Sequence, residues 1–136
     1  MNQLTPAPLP RGTKVLSIGL HPRALDYSRL PEGLDETVLT ARIEAGNAAL
    51  LDAGLDAVLC LIDAAPEQAE AAIRRHLRDG DFGLAMVGGG IRMLPEHTLL
   101  FERIVGVLTE AAPGIRLCFN SSPEDTIDAV RRWIRV

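Results

Sequence analysis

The chain has few of the features that membrane, nucleic-acid-binding and disulfide-rich proteins need. No apolar run approaches the roughly 20 residues that a membrane-spanning helix requires. The net charge is −4 and the arginines form no continuous stripe, so electrostatics disfavours nucleic acid as a partner. The two cysteines, Cys60 and Cys118, lie far apart inside apolar segments, where cysteine behaves as a small apolar residue. Their number and spacing predict neither a disulfide framework nor a metal site.

Lysine and aromatic residues are also scarce. Of the 14 basic residues only Lys14 is a lysine, and it begins the first predicted strand. Ligands in open parallel sheets bind at the opposite, carboxyl ends of the strands, so Schiff-base chemistry and a phosphate-loop lysine are not expected. One tryptophan, Trp133, and one tyrosine, Tyr27, leave few rings to stack on a flavin. No particular cofactor is therefore predicted.

The length and the apolar content favour one globular domain. At 136 residues and 47% apolar content, the chain can bury a sizeable core but is too short for two domains. Residues 1–11 contain three prolines and no apolar signal core, so we interpret them as a disordered or loosely docked tail before a domain over 12–136. These features lead us to expect a cytoplasmic protein.

Strand-like and helix-like segments alternate along the domain. Apolar strands are predicted over 14–19, 57–62, 83–87 and 115–119, and helices over 35–53, 66–79, 95–112 and 123–134. Four successive β-α units predict a parallel sheet with right-handed crossovers and helices on both faces. We therefore expect a three-layer, doubly wound α/β domain with strand order 2-1-3-4, which is a flavodoxin-like sheet lacking a fifth strand.

Three consecutive glycines, Gly88, Gly89 and Gly90, end the third predicted strand and are followed closely by Arg92. Glycine lets a ligand approach the backbone N–H groups, and arginine offers a planar fork for a carboxylate or phosphate. The run matches no nucleotide-binding signature, because Met93 stands where the dinucleotide fingerprint ends in glycine and no Gly-Lys-Ser/Thr ending is present. We favour a role in binding a small anion, with a tight turn beside helix packing as the alternative.

Titratable side chains gather where the predicted strands end. His21 is the leading acid–base candidate, because histidine titrates near neutrality, although bonding to loop backbone is an equal alternative. In a 2-1-3-4 sheet, His21 and the glycines would face each other across the crevice between the first and third strands. Asp63 either orients His21, binds a ligand hydroxyl or caps the next helix, and His97 is either catalytic or a core-edge histidine. Further candidate ligand-binding residues are Arg23, Asn120 and Ser121.

The connection after the first strand, residues 20–34, is far longer than the roughly 2–6 residues usual in such units. It mixes charged residues with Leu25, Tyr27 and Leu30, which favours a packed lid over a mobile linker.

Four short motifs resemble those of a group of short bacterial α/β proteins. They are His21-Pro22-Arg23, Leu61-Ile62-Asp63, the run from Gly88 to Arg92, and Phe119-Asn120 followed by Pro123-Glu124-Asp125. The resemblance spans most of the chain and implies a flavodoxin-like fold. The group has no established activity, so the resemblance implies only that the strand ends are the functional region.

We therefore expect an enzyme or ligand-binding protein for a small carboxylate or phosphate metabolite. The glycines and Arg92 would hold the anion, and His21 would move a proton. The alternative is a non-catalytic module that binds a nucleotide, a flavin or another protein. Trp133 is expected to pack internally or to form the surface of a homodimer.

Overall fold

Four parallel strands form one sheet in the order β2-β1-β3-β4. The structure is a computed structural model that describes residues 8–135. The strands are β1 (Lys14–Leu20), β2 (Asp56–Ile62), β3 (Phe82–Val87) and β4 (Arg116–Phe119). Strand β1 pairs with β2 on one side and with β3 on the other, and β4 pairs with β3. This confirms the predicted α/β class and strand order, which is that of a flavodoxin-like sheet without its fifth strand.

Helices cover both faces of this sheet. They are α1 (Glu36–Asp52), α2 (Pro66–Asp79), α3 (Gly89–Arg92), α4 (Thr98–Ala111) and α5 (Thr126–Arg131). Short 3-10 turns span Pro22–Ala24, Tyr27–Arg29, Pro95–His97 and Pro123–Asp125. No helix within residues 8–135 combines the length and the apolar character needed to cross a bilayer.

The last two helices are shorter than the sequence predicts, because each begins as a 3-10 turn. Thr98 Oγ1 donates to the Pro95 carbonyl at 2.8 Å, and Thr126 Oγ1 donates to the Pro123 carbonyl at the same distance. These hydroxyl groups bond three residues back, which favours the tighter turn. Helix α5 also ends early, since Ile134 leaves the helix and forms a parallel bridge with Leu9.

The sheet separates two apolar layers. One lies against α2 and α4 and includes Leu16, Ile18, Ile73, Ile104 and Leu108. The other lies against α1 and α5 and includes Val15, Leu50, Leu84, Val130 and Ile134. Because side chains alternate along a strand, Ser17 of β1 shares the α1 face with Val15.

The chain before β1 contacts the end of the fold. The Leu9 N–H donates to the Trp133 carbonyl at 2.6 Å, and Arg11 Nη2 donates to the Ala53 carbonyl at 3.3 Å. Residues 1–7 of the predicted tail lie outside the described residues. Trp133 packs against the apolar layer beneath α1 and α5, with the Arg116 guanidinium 5.8 Å from the centre of its ring.

Two glycines inside helices provide a matched test of this packing. A Cβ on Gly46 of α1 would lie 2.6 Å from the Pro123 carbonyl oxygen, whereas one on Gly106 of α4 would meet nothing within 4 Å. Gly46→Ala should lower the free energy of unfolding by about 1–3 kcal/mol through overpacking. Gly106→Ala should raise it by about 0.5–1 kcal/mol, because alanine loses less backbone entropy in a helix. Urea denaturation measures both, and equal effects of the two substitutions would contradict this packing.

Candidate functional site

A cavity of about 260 Å³ lies at the carboxyl ends of β1 and β3, under helix α1. This is where the strand order reverses, which is the usual ligand position in open α/β sheets. The sheet contributes Ser17, Ile18, Gly19, Leu20, Leu59 and Met86, and α1 contributes Leu39, Arg42, Ile43 and Asn47. The rim includes the glycine turn, defined as Gly88–Gly90, and the segment over 120–123.

The predicted glycine loop forms the single helical turn α3, and the protein itself uses most of its backbone donors. The Gly88 N–H donates to the Ile18 carbonyl at 2.9 Å, and the Gly89 N–H donates to Asn120 Oδ1 at 2.8 Å. The Gly88 carbonyl closes the turn by accepting from the N–H groups of Ile91 and Arg92. Among the three glycine N–H groups, only that of Gly90 has no partner in the described part of the chain.

Packing explains two of the three glycines. A Cβ on Gly88 would lie 3.3 Å from the Ile18 carbonyl oxygen, and one on Gly89 would lie 3.0 Å from the Ser121 carbonyl oxygen. A Cβ on Gly90 would meet nothing within 4 Å, and this residue is exposed at the rim. Gly90 is therefore the glycine whose backbone remains open to a ligand.

Asn120 fixes the glycine turn to the rest of the fold. Its side chain is buried, its Oδ1 accepts from Gly89, and its Nδ2 donates to Thr126 Oγ1 at 2.9 Å. Ser121 is engaged as well, because its N–H and its hydroxyl both donate to the Asp125 carboxylate. These hydrogen bonds, the one from the Ser121 hydroxyl first, hold the pKa of Asp125 below its ordinary value. Asn120 and Ser121, two of the predicted ligand-binding residues, thus line the cavity and also support its rim.

Arg92 lies outside the set of side chains that line this cavity. Its Nη2 donates to the Asn120 carbonyl at 3.0 Å, and its guanidinium lies 5.7 Å from the centre of the Phe119 ring. The structure therefore uses Arg92 to support the end of β4.

Two polar side chains in the cavity wall are not predicted from the sequence. Ser17 is only 3% exposed, and it lies in the lining of the cavity. Asn47 Oδ1 is buried and has no donor among residues 8–135. An unsatisfied buried polar group costs free energy, so Asn47 marks a place where a bound molecule would form a hydrogen bond, and the Ser17 hydroxyl offers a second polar group in the same cavity wall. The one available signal was that Ser17 interrupts an otherwise apolar strand.

An ion pair holds α1 at the rim of the cavity. Arg42 donates from Nε to Glu124 Oε2 at 2.7 Å and from Nη2 to Glu124 Oε1 at 2.6 Å. These hydrogen bonds hold the pKa of Glu124 below its ordinary value and raise the pKa of Arg42. Arg42 is the only ionisable side chain among the described residues that line the cavity.

The predicted acid–base residues lie elsewhere. The His21 N–H donates to the Ile62 carbonyl at 2.9 Å, so the chain leaving β1 turns toward β2 and away from the glycine turn. His21, Arg23 and Asp63 line a separate depression. His21 Nδ1 accepts from the Arg23 N–H at 3.2 Å, and Asp63 Oδ1 accepts from the Ala65 N–H at 3.0 Å. The structure therefore does not bring His21 and the glycine turn into one cavity.

His97 lies at a third position. It lines another depression with Arg29 and Glu96, which form an exposed ion pair at 3.7 Å. His97 Nδ1 is 3.3 Å from the Gly90 carbonyl oxygen, which accepts a hydrogen bond when that nitrogen carries the proton. His97 thus contacts the outer side of the glycine turn.

The long segment over 21–34 covers one side of the cavity. Leu25, Leu30 and Leu34 line it, and the Tyr27 hydroxyl donates to the Pro22 carbonyl at 2.5 Å. The segment is thus packed over the cavity, as a lid would be.

Chemically, the cavity combines mainly apolar walls with a few hydrogen-bonding groups and a single ion pair at its rim. Comparisons with models of protein families, with curated proteins and with solved structures found no match. The wall composition is suited to binding an organic molecule through apolar contact and a small number of hydrogen bonds.

The glycine turn predicts a contrast between two adjacent substitutions. Gly89→Ala should lower the free energy of unfolding by about 1–3 kcal/mol, because its Cβ would press on the Ser121 backbone. Gly90→Ala should change it by less than about 0.5 kcal/mol, because its Cβ would enter open space. Thermal or urea unfolding measures both values. A Gly90 variant as destabilised as the Gly89 variant would contradict this description of the turn.

The Arg42–Glu124 ion pair predicts a pH dependence of stability. Because the folded-state pKa of Glu124 lies below its ordinary value of 4.5, the pair stabilises the fold above that pH and loses its effect as the pH falls further. Glu124→Gln should therefore lower stability at neutral pH, by no more than about 1 kcal/mol since the pair is partly exposed. The difference should shrink as the pH falls below 4.5, because protonation of Glu124 removes its charge. Arg42→Gln should behave alike, and a pH-independent difference would rule out this contribution.

Proposed function

We propose that the protein binds a small metabolite in the cavity between α1 and the carboxyl ends of β1 and β3. The observation that carries this proposal is the side-chain oxygen of Asn47, which is buried and has no hydrogen-bond partner among the described residues, in the wall of a mainly apolar cavity. Small-molecule sites typically have this composition, in which apolar walls supply affinity and a few polar groups set orientation.

The size of the cavity limits the ligand. The volume of about 260 Å³ lies just below the roughly 300–1,000 Å³ that is typical of ligand pockets. This argues against a whole dinucleotide or flavin enclosed in the cavity. It favours a compact molecule with about one ring or a short branched chain.

The anion predicted from the glycines fits this proposal only at the rim. Gly90 offers an N–H without a partner in the described chain and has no side chain to block approach. Arg42 also lines the cavity but is already paired with Glu124. We therefore propose that a carboxylate or phosphate would contact the protein only at the rim near Gly90 and would not enter the interior of the cavity.

The proposed role is binding without acid–base catalysis in this cavity. His21, Asp63 and His97 all lie outside its lining, and Arg42 is too basic to exchange a proton near neutrality. Proton transfer by His21 remains a prediction, and it would concern a different ligand position.

A pair of substitutions tests where the ligand binds. Ile43→Phe enlarges a side chain of α1 that lines the cavity and should lower the affinity for a ligand in the cavity by about tenfold or more. His21→Ala should leave the affinity within about twofold, because His21 lines a separate depression. An NMR screen of small fragments would identify the probe, and titrations of the three proteins would give the dissociation constants.

Unfolding curves of both variants serve as the control for folding. The proposal is wrong if no fragment shifts the amide signals of the cavity residues. It is equally wrong if His21→Ala abolishes binding while Ile43→Phe does not affect it.

A further inference from the structure

The charge inside the cavity is confined to one residue. Among the described lining residues, only Arg42 is ionisable. Its guanidinium donates two short hydrogen bonds, one to each carboxylate oxygen of Glu124. A cationic group inside the cavity would find no carboxylate. An anionic group would have to compete with Glu124 for the guanidinium. Transfer of an unpaired charge into such surroundings is costly, so the wall selects against charged groups at depth.

The polar groups at depth have a defined hydrogen-bonding character. Ser17 projects from the sheet and Asn47 belongs to the helix that covers it, so they belong to two different layers around the cavity. The Asn47 side-chain oxygen can only accept a hydrogen bond, whereas the Ser17 hydroxyl can donate or accept. A ligand group that satisfies Asn47 must therefore donate, and a hydroxyl or an amide N–H does so without carrying charge.

We infer that the cavity selects an uncharged molecule that has an apolar body and one hydroxyl or amide group. This inference rests on the proposed function and names the chemical class of its ligand. A purely apolar molecule of the same size leaves the Asn47 side-chain oxygen unsatisfied and makes no hydrogen bond to Ser17. A molecule with a buried charge meets an uncharged apolar wall.

Four probes that share a benzene ring separate these classes. They are phenol, toluene, benzoate and benzylamine, and each is small enough for a cavity of about 260 Å³. Dissociation constants come from NMR titration of the full chain, with the site read from the amide shifts of residues around 17, 47 and 90. Phenol should bind about fivefold more tightly than toluene, the ratio typical of one neutral hydrogen bond. Benzoate and benzylamine should bind in the cavity more weakly than either.

Two variants test whether Ser17 and Asn47 cause the preference for phenol over toluene. Ser17→Ala and Asn47→Leu each remove a hydrogen-bonding group at little change in size, and each should reduce the phenol-to-toluene ratio toward one. Thr109→Ala removes a hydroxyl from α4 that bonds only to its own helix backbone, so the ratio should stay unchanged. Because the two variants lie on different elements, a folding defect in one leaves the other as a test.

The outcomes separate the ligand class from the proposed function. If benzoate or benzylamine binds in the cavity as tightly as phenol, the ligand class is wrong while the proposed function stands. The same conclusion follows if both Ser17→Ala and Asn47→Leu keep the preference of the wild-type protein for phenol. If no probe and no fragment shifts the cavity amides, the proposed function fails and the inference fails with it.

Discussion

The carboxyl edge of the sheet depends on the buried side-chain amide of Asn120. Its oxygen accepts from the Gly89 N–H and its nitrogen donates to Thr126, so one side chain joins the exit of β3, the end of β4 and the start of α5. A buried amide that lost either partner would leave a polar group unsatisfied. Since the glycine turn and the segment over 120–123 form the rim of the cavity, the shape of the site follows from these two hydrogen bonds.

Helix α1 is held over the cavity by contacts at the same rim. Gly46 allows the helix backbone to approach the Pro123 carbonyl closely, and the Arg42–Glu124 ion pair joins the same two elements. Asn47 differs from these well-bonded residues, because its side-chain oxygen is buried and has no partner among the described residues. Polar groups left unsatisfied inside an otherwise satisfied fold are typical of binding sites, where a ligand completes the hydrogen bonding.

Local sequence signals explain why much of the fold can be predicted. Helix α2 has its predicted bounds, because Pro66 fits the first helical turn and Gly80 follows the last. Apolar strands separated by such helices predict a parallel sheet with right-handed crossovers. The strand order was expected because it is common among doubly wound sheets, and no residue of this chain specifies it. Helix α3 escapes prediction because glycine disfavours helix, and the turn is held by the distant Asn120.

The site could be predicted less well than the fold, because it too depends on contacts between residues that are far apart in the sequence. Arg42 and Glu124 are 82 residues apart, so no local pattern pairs them. His21 follows β1 as predicted, but its N–H donates to the Ile62 carbonyl, so His21 lies beside β2.

The most direct test of the binding cavity is an NMR measurement of nuclear Overhauser effects between a bound fragment and side-chain methyl groups. We expect effects to the methyl groups of Leu39 and Ile43, which line the cavity. Effects confined to Leu61 and Ala64, beside His21, would contradict this expectation.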